Sequence, residues 1–146
     1  MSSHKQRQLL QLFYRESERV RLLDVDQLPA MNSSEMADFH LWLESKRDFS
    51  IADTECRHWI KTCSAGHVTE LQLHPNGTLD EFTLFRREQA KGVWCIEDGV
   101  IHVELHTAQH VYRYSIYANR TANIHSAVEY RDDSLHAYLK LAQVRG

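Results

Sequence analysis

The stretch from Gly92 to Ala118 holds the residues whose types and spacing come closest to chemistry. His102, Glu104 and His106 alternate along one run, so as a strand they present three potential metal ligands on one face, roughly 6.5–7 Å apart. Cys95 reaches the same face if the neighbouring segments pair, and would offer zinc a fourth ligand. Cys95 beside His102 and Ser115 also has the residue types of a nucleophile and its base. Nucleophilic catalysis further requires an orienting third group and N–H donors outside a regular ladder, and the middle of a strand supplies neither. Glu104 falls opposite Arg113, an ion pair that needs no metal to explain it. Ten histidines in 146 residues make a His-x-Glu-x-His pattern an expected coincidence. The polar row is therefore expected to be a solvent-facing sheet surface, with no catalytic residue, metal or cofactor.

The same stretch specifies its own pairing. With Asp98-Gly99 as a two-residue turn, Ile96 faces Ile101, Cys95 faces His102 and Trp94 faces Val103. With Ala108-Gln109 as the next turn, Leu105 faces Tyr112, Glu104 faces Arg113, Val103 faces Tyr114 and His102 faces Ser115. Alternation then gathers Trp94, Ile96, Ile101, Val103, Leu105, Tyr112, Tyr114 and Ile116 on one face. A slip of one residue would mix the apolar and polar sets, so the pattern supports the register. The apolar face reads as core packed against the helical residues Phe13, Phe39 and Trp42. Its functional reading is an incompletely filled barrel in which Trp94, Tyr112, Tyr114 and Phe82 hold a small apolar ligand.

Elements upstream and downstream must position these faces. Apolar residues Leu9, Leu12, Phe13, Val20 and Leu23 predict a helix within residues 4–24, ended at the latest by Pro29. Asn32 with Glu35 forms a capping box for a second helix, which carries Met36, Phe39, Trp42 and Leu43 on one face. Residues 48–56 are ambiguous, and residues 57–62 are read as a strand although Cys56, Trp59, Ile60 and Cys63 also have helical spacing. From residue 67 the period is two, with turns at His74 to Gly77, Asp98-Gly99, Thr107 to Gln109, Asn119 to Asn123 and Arg131 to Ser134. Arg86 to Gly92 reads as a polar connection, and an Asp132-Asp133 turn sets Glu129 opposite His136, with His125 nearby.

Eight sequential antiparallel strands accumulate twist and cannot stay flat. Closing them removes exposed edges. The expected fold is α+β: two N-terminal helices followed by an up-and-down antiparallel meander, curled into a barrel or into a half-barrel plugged by the helices. A chain of this length reads as one domain, residues 1–146, helical over 1–50 and meander over 57–144.

The net charge of −3 gives no global pull toward nucleic acid or an anionic membrane. No apolar run is long enough to span a bilayer, and the N-terminus lacks the features of a signal peptide. Three cysteines without Cys-x-x-Cys spacing read as reduced thiols, so a cytoplasmic location is expected. Trp42 beside Leu41 and Leu43 makes the second helix apolar on more than one side, which suggests a homo-oligomer.

Gly92-Val93-Trp94, followed by Glu97-Asp98-Gly99, resembles the Gly-x-Trp element of lipocalin-like barrels. The likeness covers about eight residues, and the element lies near the fourth strand rather than the first, as it does in lipocalins. What the resemblance implies is the binding of small hydrophobic molecules. The leading functional expectation is a non-enzymatic binder of a small apolar ligand. The alternative is a protein-interaction module or homodimeric adaptor, and the third is a metal-dependent enzyme on the His102, Glu104 and His106 face.

Overall fold

Period-two runs broken by tight turns fold as nine strands in the computed structural model, which describes residues 2–17, 22–56, 58–64, 66–83 and 89–144. The two-residue β1 (Lys46–Arg47) comes first. It is followed by β2 (His58–Cys63), β3 (Val68–Leu73), β4 (Thr78–Thr83), β5 (Gln89–Glu97), β6 (Val100–His106), β7 (Val111–Asn119), β8 (Ile124–Arg131) and β9 (Ser134–Val144). Each strand from β2 to β9 pairs antiparallel with the next. β2 also pairs with β9, from His58 opposite Val144 to Cys63 opposite Leu139, and this closes an eight-stranded barrel. β1 adds to the end of β7 through Lys46 opposite Asn119.

The expected register between β5, β6 and β7 is observed at every position named above. Asp98 and Gly99 both adopt positive φ, 54° and 74°, as a two-residue hairpin turn requires. Three expectations shift. β5 begins at Gln89, so the part of the polar connection from Gln89 to Gly92 is strand; residues 84–88 lie outside the described residues. The segment 48–56 is neither a long strand nor an α-helix but contains a 3-10 turn over Ile51–Glu55. Glu129 pairs with Ala137 rather than His136, because a bulge beside Glu129 and Tyr130 makes His136 an extra residue in β9.

Alternation divides the barrel cleanly. Trp59, Leu71, Leu73, Leu79, Ile101, Ile116, Leu139 and Leu141 point inward and are almost fully buried. One end is closed by the chain between α2 and β2. Phe49 packs its ring against Trp59 and edge-on against His125, with centroids 5.9 and 4.8 Å apart. Gln143 donates to the Asp53 carbonyl, and His125 bridges the Asn119 amide and the Gln143 side chain. Burial holds the His125 imidazole below its ordinary pKa, consistent with a neutral ring that accepts at Nδ1 and donates at Nε2.

The helices, α1 (Ser2–Glu16) and α2 (Ser33–Leu43), lie outside the barrel rather than plugging it. Leu12, with Leu9 beside it, packs on the outward residues Val100, Tyr117, Val128 and Tyr138. Phe13, Phe39 and Trp42 form a separate aromatic cluster between the helices, so they are not the partners of the inward apolar face. The Asn32–Glu35 capping box forms as expected, with Asn32 Oδ1 accepting from the Glu35 amide at 2.8 Å. α1 ends at Glu16, earlier than residue 24, since Leu22 leaves the helix to join the outer apolar cluster; Val20 lies outside the described residues. No helix of the described residues is long and apolar enough to cross a membrane.

Glu16 ties these pieces together. Its carboxylate accepts from Ser126 and Tyr138 at 2.5 Å each, from Trp42 Nε1 at 3.2 Å and from Lys46 Nζ at 3.2 Å. α1, α2, β1, β8 and β9 thus meet at one side chain. Burial raises its pKa, but Lys46 and the two hydroxyl donors outweigh burial and hold it below the ordinary carboxylate value. That contribution to stability is present above the unfolded pKa and lost as pH falls through the folded value. Glu16→Gln is expected to cost about 2–4 kcal/mol at neutral pH in urea unfolding and to flatten the acid limb of the stability curve. At Gly92 a Cβ would approach the Glu104 carbonyl oxygen to 2.1 Å. Gly92→Ala is expected to cost about 1–3 kcal/mol, read as a lower urea midpoint.

Candidate functional site

The polar row of Cys95, His102, Glu104, His106, Arg113 and Ser115 points outward, as alternation requires. It is not simply open surface. With the first half of α1 (His4, Gln8) and the turn around Asp24–Asp26, the outer surfaces of β5 to β8 form a cleft of about 560 Å³. His102 Nδ1 and Ser115 Oγ lie 2.7 Å apart in it, and burial lowers the His102 pKa. Glu104 is engaged on both sides, by His106 Nε2 at 2.7 Å and Arg113 Nε at 2.8 Å. His106 and Arg113 hold its carboxyl below the usual range. Among the described residues no three His, Cys, Asp or Glu side chains are grouped to hold a metal. Of His102, Glu104 and His106, the last two are spent on each other and, for Glu104, on Arg113.

Of the four residues expected to line an apolar site, Trp94, Tyr112 and Tyr114 face into the barrel and pack with its core. Phe82 does not. It shares a strand with inward Leu79 and Glu81, one residue out of phase, and so lies on the outer face. The Trp94 indole is anchored at one hairpin, donating to the His74 and Thr78 carbonyls at 2.9 and 3.0 Å. Tyr112 stands beside the His136 ring, at 5.8 Å.

The inward surface also carries an ionic group. Lys61 from β2 is paired in direct contact with Glu81 from β4 and lies 3.5 Å from Glu129 of β8. Thr69 donates to Glu81 at 3.0 Å, and His136 Nε2 lies 3.8 Å from Glu129 Oε1. The Lys61 ammonium sits over the Tyr114 ring, 5.3 Å from its centroid. Burial opposes the charge on Lys61, but the groups around it, Tyr114, Glu81 and Glu129, outweigh burial and raise its pKa. Glu129 is raised, by burial first, with Lys61 and His136 offsetting part of it. Burial pushes the Tyr114 phenol up as well. Among the described residues, Tyr114 Oη is the buried side-chain polar atom that has no hydrogen-bond partner.

Lys61, Glu81 and Glu129 were not among the expected site residues. A signal for them exists in the strands. That signal is partial: Lys61 shares its parity with Trp59, but Glu81 lies in a strand that is apolar and charged at both parities, and Glu129 shares its parity with His125 while Val128 and Tyr130 take the other. His125, by contrast, sits at the closed end of the barrel and does not cluster with Glu129 and His136.

Lys61→Met would leave two inward carboxylates without their counterion and is expected to cost about 3–5 kcal/mol. The folded-state pKa of Glu129 is already raised, so its contribution is favourable below the ordinary carboxylate value and is lost as pH rises through the raised one. The variant's deficit should therefore be smaller at about pH 5 than at about pH 8, measured by urea unfolding at both. An eight-stranded up-and-down barrel is the architecture that lipocalins and other small-molecule binders use, but comparison of this chain with family models, curated proteins and solved structures gives no match.

Proposed function

We propose that this chain is a non-enzymatic binder of a small, mostly apolar molecule that enters the barrel at its polar end. The observation that carries this reading is the Tyr114 hydroxyl, 3% exposed and without a hydrogen-bond partner inside a closed barrel. A buried hydroxyl of this kind calls for a partner that comes from outside the chain. The ionic group beside it supports the same reading, since an apolar replacement of similar volume is often at least as stable as a buried ion pair. Ala90, Ala127 and Ala137 are inward and small, and they surround the strand positions of Glu81 and Glu129. Tyr112 and His136 complete that end of the barrel.

Self-association is a second reading, favoured by the second helix. Leu41 is 65% exposed and Met36 44% exposed, while Phe39 and Trp42 of the same helix pack against Phe13. The charge-state series in native mass spectrometry would report a dimer directly.

Uptake of the neutral dye Nile red, followed by its fluorescence, tests the first reading. The folded protein is expected to enhance and blue-shift the dye. Ala90→Leu, which fills the inner surface beside Glu81, should weaken uptake by about tenfold or more. Ser115→Trp, which fills the outer cleft instead, should leave uptake unchanged. The opposite pattern would move the site to the outer cleft, and no uptake by wild type would remove the reading.

A further inference from the structure

We propose that the head group accepted at the polar end of the barrel is a hydrogen-bond-donating cation, a protonated alkyl- or arylamine, and not a carboxylate. This rests on the ligand-binding reading above and specifies its chemistry. Lys61 of β2, Glu81 of β4, Glu129 of β8 and His136 of β9 face this end, together with the phenols of Tyr112 and Tyr114 on β7. The single ammonium is already committed. Lys61 contacts Glu81 directly, and the same Glu81 oxygen also accepts from Thr69, so that carboxylate is served twice.

Glu129 is served poorly. It is only 4% exposed, yet its nearest donors are Lys61 at 3.5 Å and His136 at 3.8 Å. Both distances are long for a charge-assisted hydrogen bond, which closes to about 2.7–2.9 Å. Directly across the strand pair from Glu129 is Tyr114, whose hydroxyl has no partner. Side chains in such a pair stand about 5 Å apart at Cβ, close enough to share one small group. An ammonium has three donors and no acceptor, so it can donate to the Glu129 carboxylate and to the Tyr114 oxygen together. An incoming carboxylate would meet Glu129 and Glu81 with no uncommitted cation among the described residues, and like charges at this depth repel. The excess of one inward carboxylate over the one ammonium thus selects for a cation.

Competition against Nile red on the full wild-type chain tests this, with decylamine, decanol and decanoate as probes that share one hydrocarbon body and differ in head group. Decylamine is expected to displace the dye at a concentration about tenfold or more below decanoate, with decanol between them. Glu129→Gln, checked for folding by circular dichroism, should bring decylamine to the level of decanol. If Glu129→Gln fails to fold, the wild-type ranking alone decides. Decanoate equal to or better than decylamine overturns the cation assignment and leaves the small-ligand reading standing. An amine preference that survives in a folded Glu129→Gln overturns the placement of the head group at Glu129. Failure of all three probes to displace a dye that does bind overturns the cation assignment alone, whereas failure of the dye to bind overturns both readings.

Discussion

The pairing of β2 with β9 is the constraint on which the rest of the molecule depends. Before it forms, the meander has two faces and two edges. Once His58 to Cys63 lie against Leu139 to Val144, the two faces become an inside and an outside, and no edge of the eight-stranded ladder remains. Each inward side chain then has neighbours from across the barrel as well as along its own sheet. That is how Lys61, Glu81 and Glu129, which come from strands far apart in the chain, reach one place.

Closure also decides where the helices can go. The inner volume is filled by the inward side chains of the eight barrel strands, and Phe49 with its flanking turn closes one end. α1 and α2 are left to cover the outside, where they pack on the outward Val100, Tyr117, Val128 and Tyr138. The Glu16 carboxylate fixes this attachment by accepting from donors on two strands, on α2 and on Lys46. Glu16, with four donors on its carboxylate, serves as a structural joint, whereas Glu129, the more buried of the two, has Lys61 at 3.5 Å and His136 at 3.8 Å.

Much of this was legible from residue order. Period-two alternation, the Asp98-Gly99 and Ala108-Gln109 turns and the Asn32–Glu35 cap are local features, set by φ preferences and by the alternation of side chains along a strand. They determined the eight barrel strands, the register of β5, β6 and β7, and which of Trp94, Tyr112 and Tyr114 share a face; the two-residue β1 was not foreseen. Phe82 was misassigned because its strand alternates apolar and charged residues at both parities, Leu79 and Glu81 on one, Asp80 and Phe82 on the other. Hydrophobicity alone then does not say which parity is inside.

What only the tertiary structure decided involves residues far apart in sequence. The bulge that frees His136, the cleft roofed over Cys95, His102 and Ser115 by α1, and the end of α1 at Glu16 all follow from packing between elements that local pattern cannot see. The inward charges are the clearest case. Each of Lys61, Glu81 and Glu129 alone reads as an ordinary polar residue in an antiparallel strand. Only closure turns them toward one another, because a side chain's burial depends on which strands stand opposite it, and that is a property of the barrel rather than of any one strand.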